Sequence, residues 1–226
     1  MITLYTAVGK MKNLLTTTEI PRVIVKETKE KEYELDAPEF ILWSSLMWNI
    51  YNYDELKKVF ELKCKHSEVV PDFEFDYYLQ RLNFRGLIKS GKGCTGMSAL
   101  HSLILDLYIC PIECGILDKI IVFIRLLLKK IPFNVARHAL DKDVFKSDIE
   151  KSVWNITKQA FLSVPETICC VKNGIETIKD ASIVEKIYGE EYDYKTLPMV
   201  ARLKDDDYKV VKAIVDLYLR KMIVFE

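Results

Sequence analysis

A chain of 226 residues, half of them apolar and 29% charged, holds enough material for one large or two small cores and is too hydrophobic for a disordered polymer. Its thirty-three basic side chains balance thirty-three acidic ones, which argues against a non-specific nucleic-acid coat, whose affinity needs a large positive excess. Six cysteines are too few for a disulfide scaffold of this length, so the expectation is reduced thiols in a cytoplasmic protein without a signal peptide.

In chain order, residues 22–26 and 31–35 flank a charged turn and read as a β-hairpin, with Tyr33 and Leu35 on one face. Asp36 is placed to cap the next helix, with Pro38 and Glu39 in its first turn. That helix carries Phe40, Ile41, Trp43, Leu46, Met47 and Ile50, more than one apolar stripe, and is expected at the centre of the core. Asn52 to Asp54 open a second helix with Leu56, Val59, Phe60 and Leu62 inward. Asp72 starts a third, with Phe75, Leu79 and Leu82 inward. It breaks at Arg85-Gly86, passes into a short strand at Leu87-Ile88, and ends in a basic, glycine-rich tip at 89–93. Hairpin, three helices and a second hairpin make the order of a winged helix, whose third helix enters the major groove in DNA-binding copies.

From Ser98 the chain reads as mostly helical. Leu100, Leu103, Ile104 and Leu107 recur at helical spacing, and 116–131 is an apolar helix stopped by Pro132. Arg125 interrupts that run, which is also too short to cross a bilayer, so it is expected to be buried or to form a dimer. Ser147 can cap a helix with Ile149, Val153, Trp154, Ile156 and Phe161, and Glu150 stands where a capping box needs it. Helices at 166–172 and 180–188 follow. The last eighteen residues can be laid on the third helix and its strand without a gap: Leu79 falls on Ile214, Leu82 on Leu217, Arg85 on Arg220, Leu87 on Met222 and Ile88 on Ile223. Lys221 then replaces Gly86, and only one strand follows. Any amphipathic helix running into a strand gives such a match, so the alternatives are a coincidence and a degenerate second winged helix. The expected organisation is a mainly α protein: a winged-helix domain at 1–97, a helical linker or dimerisation segment at 98–146, and a helical domain at 147–226.

Two families are similar to parts of this chain. The stretch GLIKSGKG after an amphipathic helix resembles the helix-to-wing junction of winged-helix transcription regulators, including the MarR- and PadR-type groups. The stretches KEYELDAPEFILWSSLMW, YDELKKVFELK and YYLQRLNFRGLI resemble the PqqD-like family of small winged-helix domains that bind leader peptides; Tyr33, Leu35 and Trp43 carry that likeness, over roughly residues 20 to 95. The first resemblance implies sequence-specific binding of double-stranded DNA, the second capture of a peptide or protein segment, and both rest on fold analogy.

Charge weighs between them. Asp72, Glu74 and Asp76 at the start of the third helix are poorly suited to base edges, although acids there also stabilise a helix N-terminus through its dipole. Arg81, Arg85, Lys89 and Lys92 cluster at the helix end and tip, with Gln80 and Asn83 between them. The favoured expectation is a homodimeric transcriptional regulator in which Gln80, Arg81 and Asn83 approach bases while Arg85, Lys89 and Lys92 hold phosphates. The runner-up is a non-enzymatic adaptor in which a partner strand adds along Lys31, Tyr33 and Leu35, beside the third helix.

Chemistry is sparse. Cys94, His101, Cys110 and Cys114 are zinc-capable types at irregular spacing, and buried free cysteines are the better account. His66, His101 and His138 stand far apart, no nucleophile is marked, and the glycines near 91–96 make no phosphate loop. Asp205, Asp206 and Asp207 read as the start of the last helix rather than as a metal site. No enzyme, cofactor, metal or membrane role is expected.

Overall fold

The computed structural model describes residues 1–11, 21–26, 30–112, 124, 132, 145–178 and 207–226. The fold is mixed α/β and mainly helical, with strands in three small sheets of three. The helices expected at 116–131 and 180–188 lie, except for Ile124, outside the described residues, as do Asp205, Asp206, Cys114 and His138.

Strand β1 (Ile2–Ala7) is the centre of the first sheet, an element absent from the sequence-based expectation. Strands β2 (Lys10–Met11), β3 (Arg22–Lys26) and β4 (Glu30–Glu34) form a second sheet in that order, so the expected hairpin is present with a third strand added. Gly9 makes the bend between β1 and β2 at φ 90°, and a Cβ there would stand 2.7 Å from the Ile24 carbonyl oxygen, so only glycine fits.

Helix α1 (Ala37–Leu46) begins as its sequence requires: Asp36 accepts from the Glu39 backbone N–H and the Glu39 carboxylate accepts from that of Asp36. Asn52 and Glu55 repeat this box at the start of α2 (Tyr53–His66), directly after β5 (Tyr51–Asn52). Its inward stripe is Leu56, Phe60 and Cys64, spaced by four, whereas Leu62 lies on the opposite side and is 67% exposed. Helix α3 (Phe75–Phe84) starts three residues later than Asp72 and buries Tyr78 with Phe75, Leu79 and Leu82.

The glycine-rich segment after α3 is not a tip. It is strand β6 (Ile88–Gly93), paired antiparallel with β1 from Ala7↔Ile88 to Ile2↔Gly93. Helix α4 (Gly96–Ile104) packs on it so closely that a Cβ on Gly91 would overlap the Leu103 backbone, and one on Gly93 would stand 2.6 Å from the Ser98 carbonyl carbon. Those glycines serve close packing rather than a flexible hairpin.

The carboxy-terminal residues repeat this plan. Strand β7 (Tyr108–Pro111) lies between β8 (Leu162–Ser163) and β9 (Ile223–Phe225), as β1 lies between β5 and β6. Helices α5 (Asp148–Thr157), α6 (Val164–Lys172) and α7 (Asp207–Leu219) take the places of α1, α2 and α3. Registers agree residue for residue: Tyr5↔Tyr51 and Tyr5↔Ser90 in the first unit match Ile109↔Leu162 and Ile109↔Phe225 in the second. Part of the expected linker therefore belongs to packed units: α4 covers β6, and β7 is the middle strand of the second sheet.

One hydrophobic cluster runs through both units, from Ala7 and Trp43 to Tyr218 and Phe225. Tyr218 ties them together. Its hydroxyl accepts from the Trp48 backbone N–H at 2.9 Å, lies 2.9 Å from the Thr6 hydroxyl, and donates to the Leu46 carbonyl at 3.1 Å. No described helix is long and apolar enough to cross a membrane.

Candidate functional site

The sequence points to α3 and its surroundings, and Glu39 dominates the electrostatics there. It sits in the first turn of α1 with its side chain 1% exposed. Arg85 donates from Nη1 to both Glu39 carboxylate oxygens at 3.0 Å, and from Nη2 to the Glu34 carbonyl at 2.6 Å. Its guanidinium also lies 5.2 Å from the centre of the Tyr33 ring. Arg81 approaches Glu39 at 3.1 Å and Asp36 at 3.5 Å. Lys89 pairs with Asp106 at 3.0 Å.

Three of the four cations expected at the DNA interface, Arg81, Arg85 and Lys89, are thus engaged within the chain. Arg85, only 18% exposed, is a structural residue and is withdrawn from the candidate DNA contacts. Arg81 and Lys89 remain at the surface but already neutralise carboxylates. Lys92, Gln80 and Asn83 are exposed, with Lys92 on β6 rather than on a projecting tip. Among the acids of the third helix, Asp76 accepts from the Tyr53 hydroxyl at 2.7 Å. That bond pushes the Tyr53 phenol up to about 12.

The other side of this region is open in a different way. Strand β4 is the edge of its sheet, bonded to β3 and to no other described strand. Leu35 donates to the Pro21 carbonyl, so alternation along an antiparallel ladder turns the backbone of Lys31 and Tyr33 toward β3 and that of Glu34 outward. Arg22 bonds Glu34 across the strands at 2.8 Å. Leu35 is buried, Tyr33 half-buried and Lys31 exposed, so of the three residues proposed for peptide contact, Leu35 belongs to the core. Beside β4, the outer face of α3 shows an apolar stripe that the sequence reading missed: Phe84 is 94% exposed, and Tyr77 stacks on Phe73 with ring centres 4.2 Å apart. Their spacing of seven, on the face opposite Leu79 and Leu82, was the available signal.

The described residues contain no group of three or more His, Cys, Asp or Glu placed to hold a metal. Cys94 is exposed and His101 buried. Burial raises the thiol pKa of Cys64 and Cys169 and pushes that of Cys170 up to about 11, which disfavours the nucleophilic thiolate. Comparison with protein-family models, curated proteins and solved structures finds no match to this chain.

Proposed function

We propose that the chain is a non-enzymatic capture module of two winged-helix units, the first of which takes an extended peptide or protein segment along the outer edge of β4, with side chains resting on α3. The observation that carries this reading is the pairing of Arg81 and Arg85 with Glu39, which removes cations from phosphate contact while Arg85 ties the end of α3 to β4, whose outer edge no other described strand covers. Backbone bonds to the edge supply affinity in such a mode, and the exposed Tyr77 and Phe84 supply side-chain selection.

Sequence-specific binding to double-stranded DNA is the second reading, supported by exposed Gln80, Asn83 and Lys92. A display selection of random peptides on the intact chain separates the two. The expected result is a set of peptides that slow hydrogen exchange along 30–35 and lose about tenfold in affinity in Phe84→Ser or Tyr77→Ala. Absence of enrichment, or protection only elsewhere, removes the capture reading. Duplex binding that weakens with salt and in Lys92→Ala decides for the regulator.

A further inference from the structure

The two units meet over a cleft of about 770 Å³, a size common for small-molecule sites. Its walls include Phe40 and Trp43 from α1, the adjoining Met47 and Trp48, Met11 of β2 and Leu219 at the end of α7. Both indole N–H groups are already bonded: Trp43 donates to the Val8 carbonyl at 3.0 Å and Trp48 to that of Ile223 at 3.2 Å. Trp43, 1% exposed, lies beneath the cleft, so Trp48 is the tryptophan that offers ring surface, with no further donor. Among the described residues no aspartate or glutamate lines the cleft, and the charged ones there are Lys10 and Lys221. Lys10 lies 3.4 Å from the buried Glu226 carboxylate. Lys221 pairs with no described carboxylate, and its ammonium lies 5.5 Å from the Trp48 ring centre.

Of the three described residues other than glycine with a positive φ, Trp48, Glu68 and Lys221, two line this cleft. Trp48 and Lys221 hold φ of 58° and 62°, in the left-handed region that costs a residue with a Cβ about 1–2 kcal/mol. In the first unit the residue equivalent to Lys221 is Gly86, at φ 73°, which meets this conformation without strain. In the second unit Gln159 is equivalent to Trp48 and has no positive φ. These two differences between the units, Trp48 against Gln159 and Lys221 against Gly86, thus stand beside each other in the cleft. Strain of this kind concentrates where a side chain is held for a ligand.

We infer that this cleft binds a medium-sized apolar carboxylate, its hydrocarbon or aromatic body against Phe40, Met47 and Trp48 and its anionic head on Lys221. The site stands independently of what β4 captures. Decanoate, kept below its micelle threshold and titrated into the intact chain, tests it through tryptophan emission, since two of the three tryptophans line the cleft. The expected result is saturation at one site, with decanol binding about tenfold more weakly or worse for want of the charge. Lys221→Gly is expected to weaken decanoate by a similar factor while unfolding no earlier than the parent, and Lys221→Arg to retain binding. Should Lys221→Gly fail to fold, Lys221→Gln takes its place in the same titration. Lack of saturation, equal binding of decanol, or undiminished decanoate affinity in the glycine or glutamine variant overturns the inference.

Discussion

Arg85 after α3 and Arg220 after α7 each reach back to a buried glutamate in the first turn of their unit's first helix, Glu39 and Glu150. The bends that follow close with the same bonds, Leu87 N–H to Leu82 and Met222 N–H to Leu217. What differs is the outer face of the last helix. In α3, Tyr77, Gln80 and Asn83 are exposed; their counterparts in α7 are exposed Lys212, buried Val215 and buried Tyr218. At Tyr218 the second unit has turned part of that face into the contact between units, whereas the first leaves Asn83 exposed. The clasp is what the fold keeps in both copies, and the outer face is where they diverge, so the free face of α3 is the surface on which a partner is to be sought.

The largest expected effect comes from breaking the clasp. Glu39→Ala leaves Arg85, largely buried, without its partner, and is expected to cost about 3–5 kcal/mol in urea unfolding. Glu150→Ala is expected to cost less, about 3 kcal/mol, because Glu39 serves two arginines and Glu150 is paired with one. A loss below about 1 kcal/mol in both variants would show that the shared contact does not hold either unit together.

Gly91→Ala should come next. The added Cβ overlaps backbone atoms of Leu103, which no rotamer change relieves, so a loss of about 3 kcal/mol is expected. Gly96→Ala is the control, since nothing lies within 4 Å of a Cβ there. Equal thermal midpoints for the two variants would mean that α4 does not rest on β6 as described.

Several parts of this architecture were legible in the residues. Capping chemistry at Asp36-x-x-Glu39 and at Asn52 placed α1 and α2, and the gapless match of Arg85 with Arg220 set equivalent turns over one another. A second match, of Glu39 with Glu150, Trp43 with Trp154 and Asn52-x-x-Glu55 with Ser163-x-x-Glu166, runs at one constant offset and was the available signal for the rest of the repeat. Strand β1 was missed because its pairing partners are far away in the chain, and nothing local marks a central strand. Glycines 91 and 93 suggest a hairpin tip in the sequence because a residue demanded by close packing looks the same there as one demanded by a turn. The cationic cluster misled for a related reason: composition shows the charges of Arg81 and Arg85 but not the buried carboxylate that claims them.

Tyr218→Phe sharpens the contrast between the outer faces. The hydroxyl satisfies the Trp48 N–H and the Leu46 carbonyl, and stranding both is expected to cost about 2 kcal/mol, whereas Asn83→Ala at the equivalent exposed position should cost almost nothing. The same variant carries a pH signature. Burial pushes the Tyr218 phenol up to about 12 from 10.0, so the folded chain holds that proton more tightly than the unfolded one. This contribution is whole below pH 10 and is lost as pH rises through about 12. The decline in unfolding free energy over that window should be shallower in Tyr218→Phe than in the parent.

The smallest expected effect lies in the exchange of residues at the two bends. Gly86→Ala adds a Cβ that meets nothing within 4 Å, so its penalty isolates the left-handed backbone and should be about 1 kcal/mol. Lys221→Gly removes the same penalty at the matching bend, offset in part by glycine's greater freedom when unfolded, for a net gain of up to about 1 kcal/mol. Opposite signs for the two substitutions in urea midpoints would establish that the bends are equivalent and that Lys221 is retained against the interest of stability. A loss in Lys221→Gly would instead mean that the stack on Trp48 repays the backbone strain within the fold itself, making the lysine a structural residue of the junction.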